Sequence, residues 1–265
     1  MGNGRSAIFE SLEPRRFLSV TLVNGLLQIT GTSTDDTIYL SPVVNSHLSA
    51  PYPAQIAVSI NDHQSVFDFS TISRIEVLAL GGDDGIFLTG PDPSHPASNL
   101  RDFPLPVFIA GGAGVDTIFA SDRNDTIFGG TGADVIRGNG GDDRILGGDG
   151  IDQVLAGRGN DTIIGGLGDD YLKGGPGNDL IKGGRGDDSI SGEKGQDLLL
   201  GGDGDDRLHG RDGDDTLLGN RGDDKLSGDL GDDSLLGGFG NDSLLGGPGH
   251  DHLFDHNGSN TFHQD

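Results

Sequence analysis

The chain has no cysteine and no tryptophan, a single methionine, and aromatic residues at only 6% of its 265 positions. Without cysteine there are no disulfides and no thiolate chemistry, and the redox compartment leaves no mark. Hydrophobic residues reach 32%, where an ordinary globular domain approaches half, so a conventional helical or α/β core is not expected. No apolar run nears the roughly 20 residues that a transmembrane helix needs. Cations are scarce too: 17 Lys and Arg stand against 42 Asp and Glu, a formal net charge of −25. Such a surface disfavours nucleic acid and anionic membrane as partners and favours cations. No His-Glu-x-x-His motif occurs, and no Gly-Lys-Ser/Thr follows the glycine-rich loops. No catalytic constellation is legible, and the chain reads as a non-enzyme.

Glycine, at 49 residues, is what fills the space, and it is periodic. From Gly111 to Phe254 the chain divides into sixteen consecutive nine-residue units without insertion or deletion. Position six is Asp in every unit: Asp116, Asp125, Asp134, Asp143, Asp152, Asp161, Asp170, Asp179, Asp188, Asp197, Asp206, Asp215, Asp224, Asp233, Asp242 and Asp251. Position eight is always a branched aliphatic, from Ile118 to Leu253. Position four is Gly except at Arg123, and position one is Gly except at Ala120 and Ala156. Position two is looser, with Asn139, Asn220 and Asp229 among the substitutes, types that tolerate left-handed backbone. Acidic disorder gives no reason to hold an aliphatic at one phase for so long.

Each unit splits into a six-residue Gly/Asp turn and a three-residue strand around the aliphatic. Glycine permits positive φ and lets carbonyls face inward without a Cβ in the way. Asp at position six adds a short, hard carboxylate oxygen. Hard oxygens suit Ca²⁺, which takes six to eight of them, better than Mg²⁺ with its strict octahedron or Zn²⁺ with its need for His or Cys. In paired carboxylates such as Asp142-Asp143, the second reads as the ligand and the first as loop chemistry.

The pattern Gly-Gly-x-Gly-x-Asp-x-aliphatic-x, complete in 129–137 and 174–182, resembles the haemolysin-type (RTX) calcium-binding repeat family. The resemblance implies an all-β fold, a right-handed parallel β-roll of sixteen repeats in which two units make one 18-residue turn. It also implies that calcium sits between stacked loops, shared by units n and n+2. The ligands it implies are the position-six aspartates, giving up to about 14 ions along two edges. Asp125 is left out of that set, because Ala120-Ser121-Asp122-Arg123 replaces its glycines. Glu193 and Arg211 at position two are milder departures.

The remaining chain divides into a tail at 1–20, a smaller β-rich region at 21–106, the roll at 107–254 and a degenerate cap at 255–265. Leu12-Glu13-Pro14-Arg15-Arg16 resembles a short motif of exported and surface bacterial proteins, although 1–20 lacks the apolar stretch of an ordinary secretory signal. Asn24-Gly25 and Asn61-Asp62 predict hairpins, and 75–80 a further strand. Asp35–Ile38 and Gly81–Ile86 look like decayed copies of the repeat, and five prolines between 91 and 106 mark a joint. In the cap Asn260 stands where the Asp belongs; His250, His252, His256 and His263 read as solvated cap residues.

With little to bury and carboxylates stacked at about 5 Å, which repel by roughly 0.8 kcal/mol in water and about 3 at an effective dielectric of 20, metal and folding should be one event. The expectation is a secreted or cell-surface calcium-binding β-roll of structural or adhesive role, with polysaccharide or a surface matrix as partner. The alternative is a non-catalytic module or a fragment of a polysaccharide-acting enzyme, for instance one acting on a polyuronate.

Overall fold

The computed structural model describes residues 6–10, 17–43, 55–88, 105–254 and 260–263. The Leu12–Arg16 motif, four of the joint's prolines and His256 lie outside them. Positions seven to nine of one unit run straight into positions one to three of the next, forming six-residue strands such as Thr126–Thr131 and Val135–Gly140. Positions four to six turn the chain back, so successive strands fall in opposite sheets.

The result is two 13-stranded sheets facing each other. Within the repeat array, the strands of each sheet pair in parallel with a strict offset: Ile127 lies opposite Ile145, and Ile136 opposite Val154. Two nonapeptides therefore make one turn, because 18 residues return the chain to its starting edge. This is the parallel β-roll, and no α-helix occurs among the described residues.

The position-eight aliphatics face inward as two columns, with Ile127, Ile136, Leu199 and Leu208 each fully buried. Positions one and six are buried as well, so a carboxylate accompanies every aliphatic into the interior. Positions two and four carry positive φ in every unit but 120–128, whose Ser121 and Arg123 do not. Gly130 (φ 125°) and Gly132 (φ 131°) show why glycine dominates: a Cβ would collide with the carbonyls of Gly112 and Gly114 on the preceding turn. Non-glycine residues at position two, including Glu193 (φ 84°) and Arg211 (φ 86°), take the left-handed well instead.

Parallel stacking reaches back to strand Leu26–Thr30, by longer steps. Ile29 pairs with Val77 and Val77 with Ile109, while on the other sheet Ile38 meets Ile86 and Ile86 meets Ile118. The longer first turn carries the antiparallel hairpin Gln55–Ile60/His63–Asp68, turning at Asn61-Asp62. Strand Phe17–Val23 folds back on Leu26–Thr30 through Asn24-Gly25. Both hairpins lie where their turn residues predict them. They give this end a denser core, including Val20, Leu40, Ile56, Val58 and Ile60.

Candidate metal centres

The 18-residue turn stacks position six of each unit on position six of the unit after next, along two edges. Each carboxylate is fixed by one oxygen. Asp134 Oδ1 accepts the Asp116 amide at 2.8 Å, and Asp152 Oδ1 accepts the Asp134 amide at 2.9 Å. The same bond repeats along the other edge, from Asp143 to Asp161 Oδ1 at 2.7 Å. Position five works in the opposite direction: Asn160 and Asn178 donate their amides to Asp142 Oδ1 and Asn160 Oδ1, each at 2.8 Å. The first acidic residue of each pair is thus a loop staple at the surface, and the second is the buried one.

The other oxygen of position six points inward. In Asp116, and in every position-six aspartate from Asp134 to Asp233, Oδ2 is buried and accepts no hydrogen bond. A buried carboxylate oxygen without a donor or cation costs several kcal/mol. Beside each lies position one. A Cβ built on Gly129 would run into Asp134 Oδ2 and into the Gly147 carbonyl of the next turn, which places those two oxygens around a common space. Asp242 and Asp251 continue the two columns in the same register.

Burial dominates the titration. It pushes Asp143 and Asp206 up to about 8, Asp170 and Asp179 to about 7, and Asp134 and Asp188 to about 6. Backbone amides on Oδ1 oppose the shift, and neighbouring carboxylates add to it for Asp143 and Asp206. These groups resist ionisation until a cation shares the space.

The donor set fits a hard cation. No group of three or more His, Cys, Asp or Glu side chains converges among the described residues. Each space instead offers one carboxylate oxygen and a backbone carbonyl of the next turn, of the kind the glycines bring inward. Calcium accepts such oxygens; zinc does not favour them. A family model described as RTX calcium-binding nonapeptide repeat (4 copies) matches eight overlapping stretches that together run from residue 110 to 263. The chain belongs to the RTX calcium-binding nonapeptide-repeat family. RTX repeats bind calcium in a β-roll, and this chain is a calcium-binding β-roll. The comparison with curated proteins finds no match.

Within this RTX array one aspartate differs. Asp125 Oδ2 accepts hydrogen bonds from Ser121 N at 2.9 Å and Ser121 Oγ at 2.7 Å, and its Oδ1 accepts the Val107 amide at 2.7 Å. The missing glycines set Asp125 apart already in the sequence; the serine hydroxyl bonded to its Oδ2 emerges only in the fold. Asp84 was also missed as a candidate. It lies before the matched residues, yet its Oδ2 is buried without a partner. Its signal was Gly82, Asp84 and Ile86 at positions four, six and eight of a degenerate unit. Of the terminal histidines, His250 and His252 are exposed and His252 stacks on Phe254.

Proposed function

We propose that this chain is an extracellular or cell-surface β-roll that folds on binding calcium and serves a structural or adhesive role. The ligands in this reading are the fifteen position-six aspartates other than Asp125, joined by carbonyls of the adjoining loops. The observation that carries it is the row of buried Oδ2 atoms facing carbonyls of the next turn without a donor. Such a row is unfavourable in the metal-free chain and becomes favourable once a divalent ion enters each space, so binding free energy is folding free energy. Calcium loading along both edges would also bring the net charge of −25 close to zero and remove the self-repulsion of the array.

Outside cells, calcium lies near the millimolar affinity of extracellular modules, so the array would stay open during synthesis and set after export. No helix among the described residues is long and apolar enough to cross a membrane. The adhesive part of the reading draws support from an open groove of about 800 Å³ along one sheet, where Arg185 and Arg221 flank Asp203 between exposed Leu167 and Phe239. Cationic and apolar groups meet there on an otherwise acidic surface, suited to an acidic polysaccharide.

The test is a circular-dichroism titration starting in chelator. Calcium should raise the β signal cooperatively, and magnesium at equal concentration should do much less. Full β content in chelator, unchanged by calcium, would overturn the coupling.

A further inference from the structure

Each column of position-six aspartates has an N-terminal end, and both ends are built alike. On one edge the column runs from Asp143 back to Asp125, where Ser121 donates to Oδ2 through its amide and its hydroxyl. On the other it runs from Asp134 through Asp116 and Asp84 to Asp36, each amide bonding to Oδ1 of the next aspartate. There Thr32 donates to Asp36 Oδ2 in the same way, through its amide and through Oγ1 at 3.0 Å. Ser121 and Thr32 both stand at position two of their units, four residues before the aspartate. Neither loop shows positive φ at positions two or four.

The loop of Asp84 lies between these types in sequence and belongs to the metal type in structure. Its unit reads Ala79-Leu80-Gly81-Gly82-Asp83-Asp84, with no glycine at positions one or two. Position two, Leu80, nevertheless takes φ 81°, and position four, Gly82, takes φ 108°. A leucine in the left-handed well costs about 1–2 kcal/mol and persists only where its surroundings demand that loop shape. Asp84 is 2% exposed, and its Oδ2 has no hydrogen-bond partner. Leu78 pairs with Ala110 and Leu80 with Gly112, so Gly111 stands to the Asp84 unit in the register that Gly129, whose carbonyl shares a space with Asp116 Oδ2, holds to the Asp116 unit. The position-five staples continue as well, with Val115 N on Asp83 Oδ1 at 2.8 Å and Asp83 N on Asp35 Oδ1 at 3.0 Å. Alanine at position one is no bar, since Ala156 stands there in the unit of Asp161, whose Oδ2 is likewise unpartnered.

We infer that a position-two hydroxyl replaces the metal ion at the N-terminal end of each column, and that Asp84 is a further calcium ligand, shared across the 32-residue step to the loop of Asp116. Hydrogen-bond donors from Thr32 and Ser121 occupy the carboxylate oxygen that an ion takes elsewhere. The two terminal turns are therefore metal-free, and one column starts at Asp84, outside the repeat array proper. This rests on calcium occupying the array at all.

Native mass spectrometry of the full chain in calcium counts the ions, and hydrogen exchange with and without calcium locates them. Asp84→Asn keeps an Oδ1 acceptor for the Asp36 amide and should lose one ion, with calcium-dependent protection vanishing at 79–87 but kept around Asp188. Asp36→Asn should lose none. Replacing Ser121 and Arg123 together by glycine should add one ion at Asp125. An unchanged count in Asp84→Asn, or calcium-dependent protection retained at 79–87, would overturn the assignment of Asp84. Loss of an ion in Asp36→Asn, or no gain in the double variant, would overturn the hydroxyl replacement. A wild-type chain that binds no calcium would instead remove the proposed function beneath both.

Discussion

Asp188→Asn separates the two states of the array by sign. Asp188 is fully buried, its Oδ1 accepts the Asp170 amide at 2.9 Å, and its own amide donates to Asp206 Oδ1 at 2.8 Å. Asparagine keeps the acceptor; at the cap, Asn260 Oδ1 takes the Asp242 amide at 2.8 Å in just this way. What changes is the charge. In the metal-free chain burial holds Asp188 at about 6 against an ordinary value near 4. Removing the carboxylate at pH 8 therefore relieves about 3 kcal/mol. In calcium Oδ2 touches the ion in its own space, and the ion of the neighbouring turn lies about 5 Å away. A −1/+2 contact at about 2.4 Å is worth about 3–4 kcal/mol even at the dielectric of water, and the pair at about 5 Å adds about 1.5–2. Together these losses outweigh the relief and leave a net destabilisation of about 2 kcal/mol. Urea unfolding in saturating calcium, followed by circular dichroism, should show a loss of that order; in chelator the β signal should equal or exceed wild type. Exchange rates should rise first in the loops of Asp170 and Asp206, the stacked neighbours, before those of Asp179 and Asp197. Asp125→Asn turns one of two oxygens that accept hydrogen bonds from Ser121 and Val107 into a donor, so its cost should be the same in chelator and in calcium. A calcium-dependent loss at Asp125, destabilisation of equal size in chelator and calcium at Asp188, or damage falling first on Asp179 and Asp197 would overturn this reading.

Acidity should partly replace calcium. The folded pKa values lie above the unfolded one, so these carboxyls stabilise the metal-free roll fully below about pH 4, and that contribution is lost as pH rises through 6 to 8. In chelator the β signal should grow on going from pH 8 to 5, while calcium affinity falls over the same range and binding releases protons; a flat or opposite pH profile contradicts this. Gly132→Ala forces a Cβ against the Gly114 carbonyl at φ 131° and should cost about 2–3 kcal/mol in calcium, read from the urea midpoint. Leu80→Gly removes left-handed strain from a residue 54% exposed and should stabilise by about 1 kcal/mol in the same assay.

What the sequence discloses follows from what repeats. Nine-residue periodicity with an aliphatic at position eight specifies short alternating strands, and the two-unit turn then stacks Ile127 on Ile145 and Asp116 on Asp134. The hairpins at Asn24-Gly25 and Asn61-Asp62 were legible because only particular residues enter left-handed turns cheaply. Asp84 was legible only as part of a decayed repeat, because its alanine and leucine replace the glycines that signal a metal loop, and only the backbone shows Leu80 adopting the glycine conformation. The Ser121 hydroxyl escaped notice for a different reason. A serine four residues before an aspartate carries no message until the turn closes and brings Oγ within 2.7 Å of the carboxylate. Nor does composition tell that aspartates share the interior with the aliphatics, since burial of charge depends on the carbonyl and amide neighbours that folding provides.

A crystal structure grown in calcium decides whether the buried Oδ2 atoms are calcium ligands. The account predicts an ion between each pair of stacked loops, about 2.3–2.6 Å from the carboxylate of Asp170, Asp188 or Asp206 and from position-one carbonyls such as those of Gly183 and Gly201 on the next turn. It predicts none at Asp36 or Asp125. Interloop spaces without ions, with those Oδ2 atoms bonded to protein donors or water instead, would contradict it.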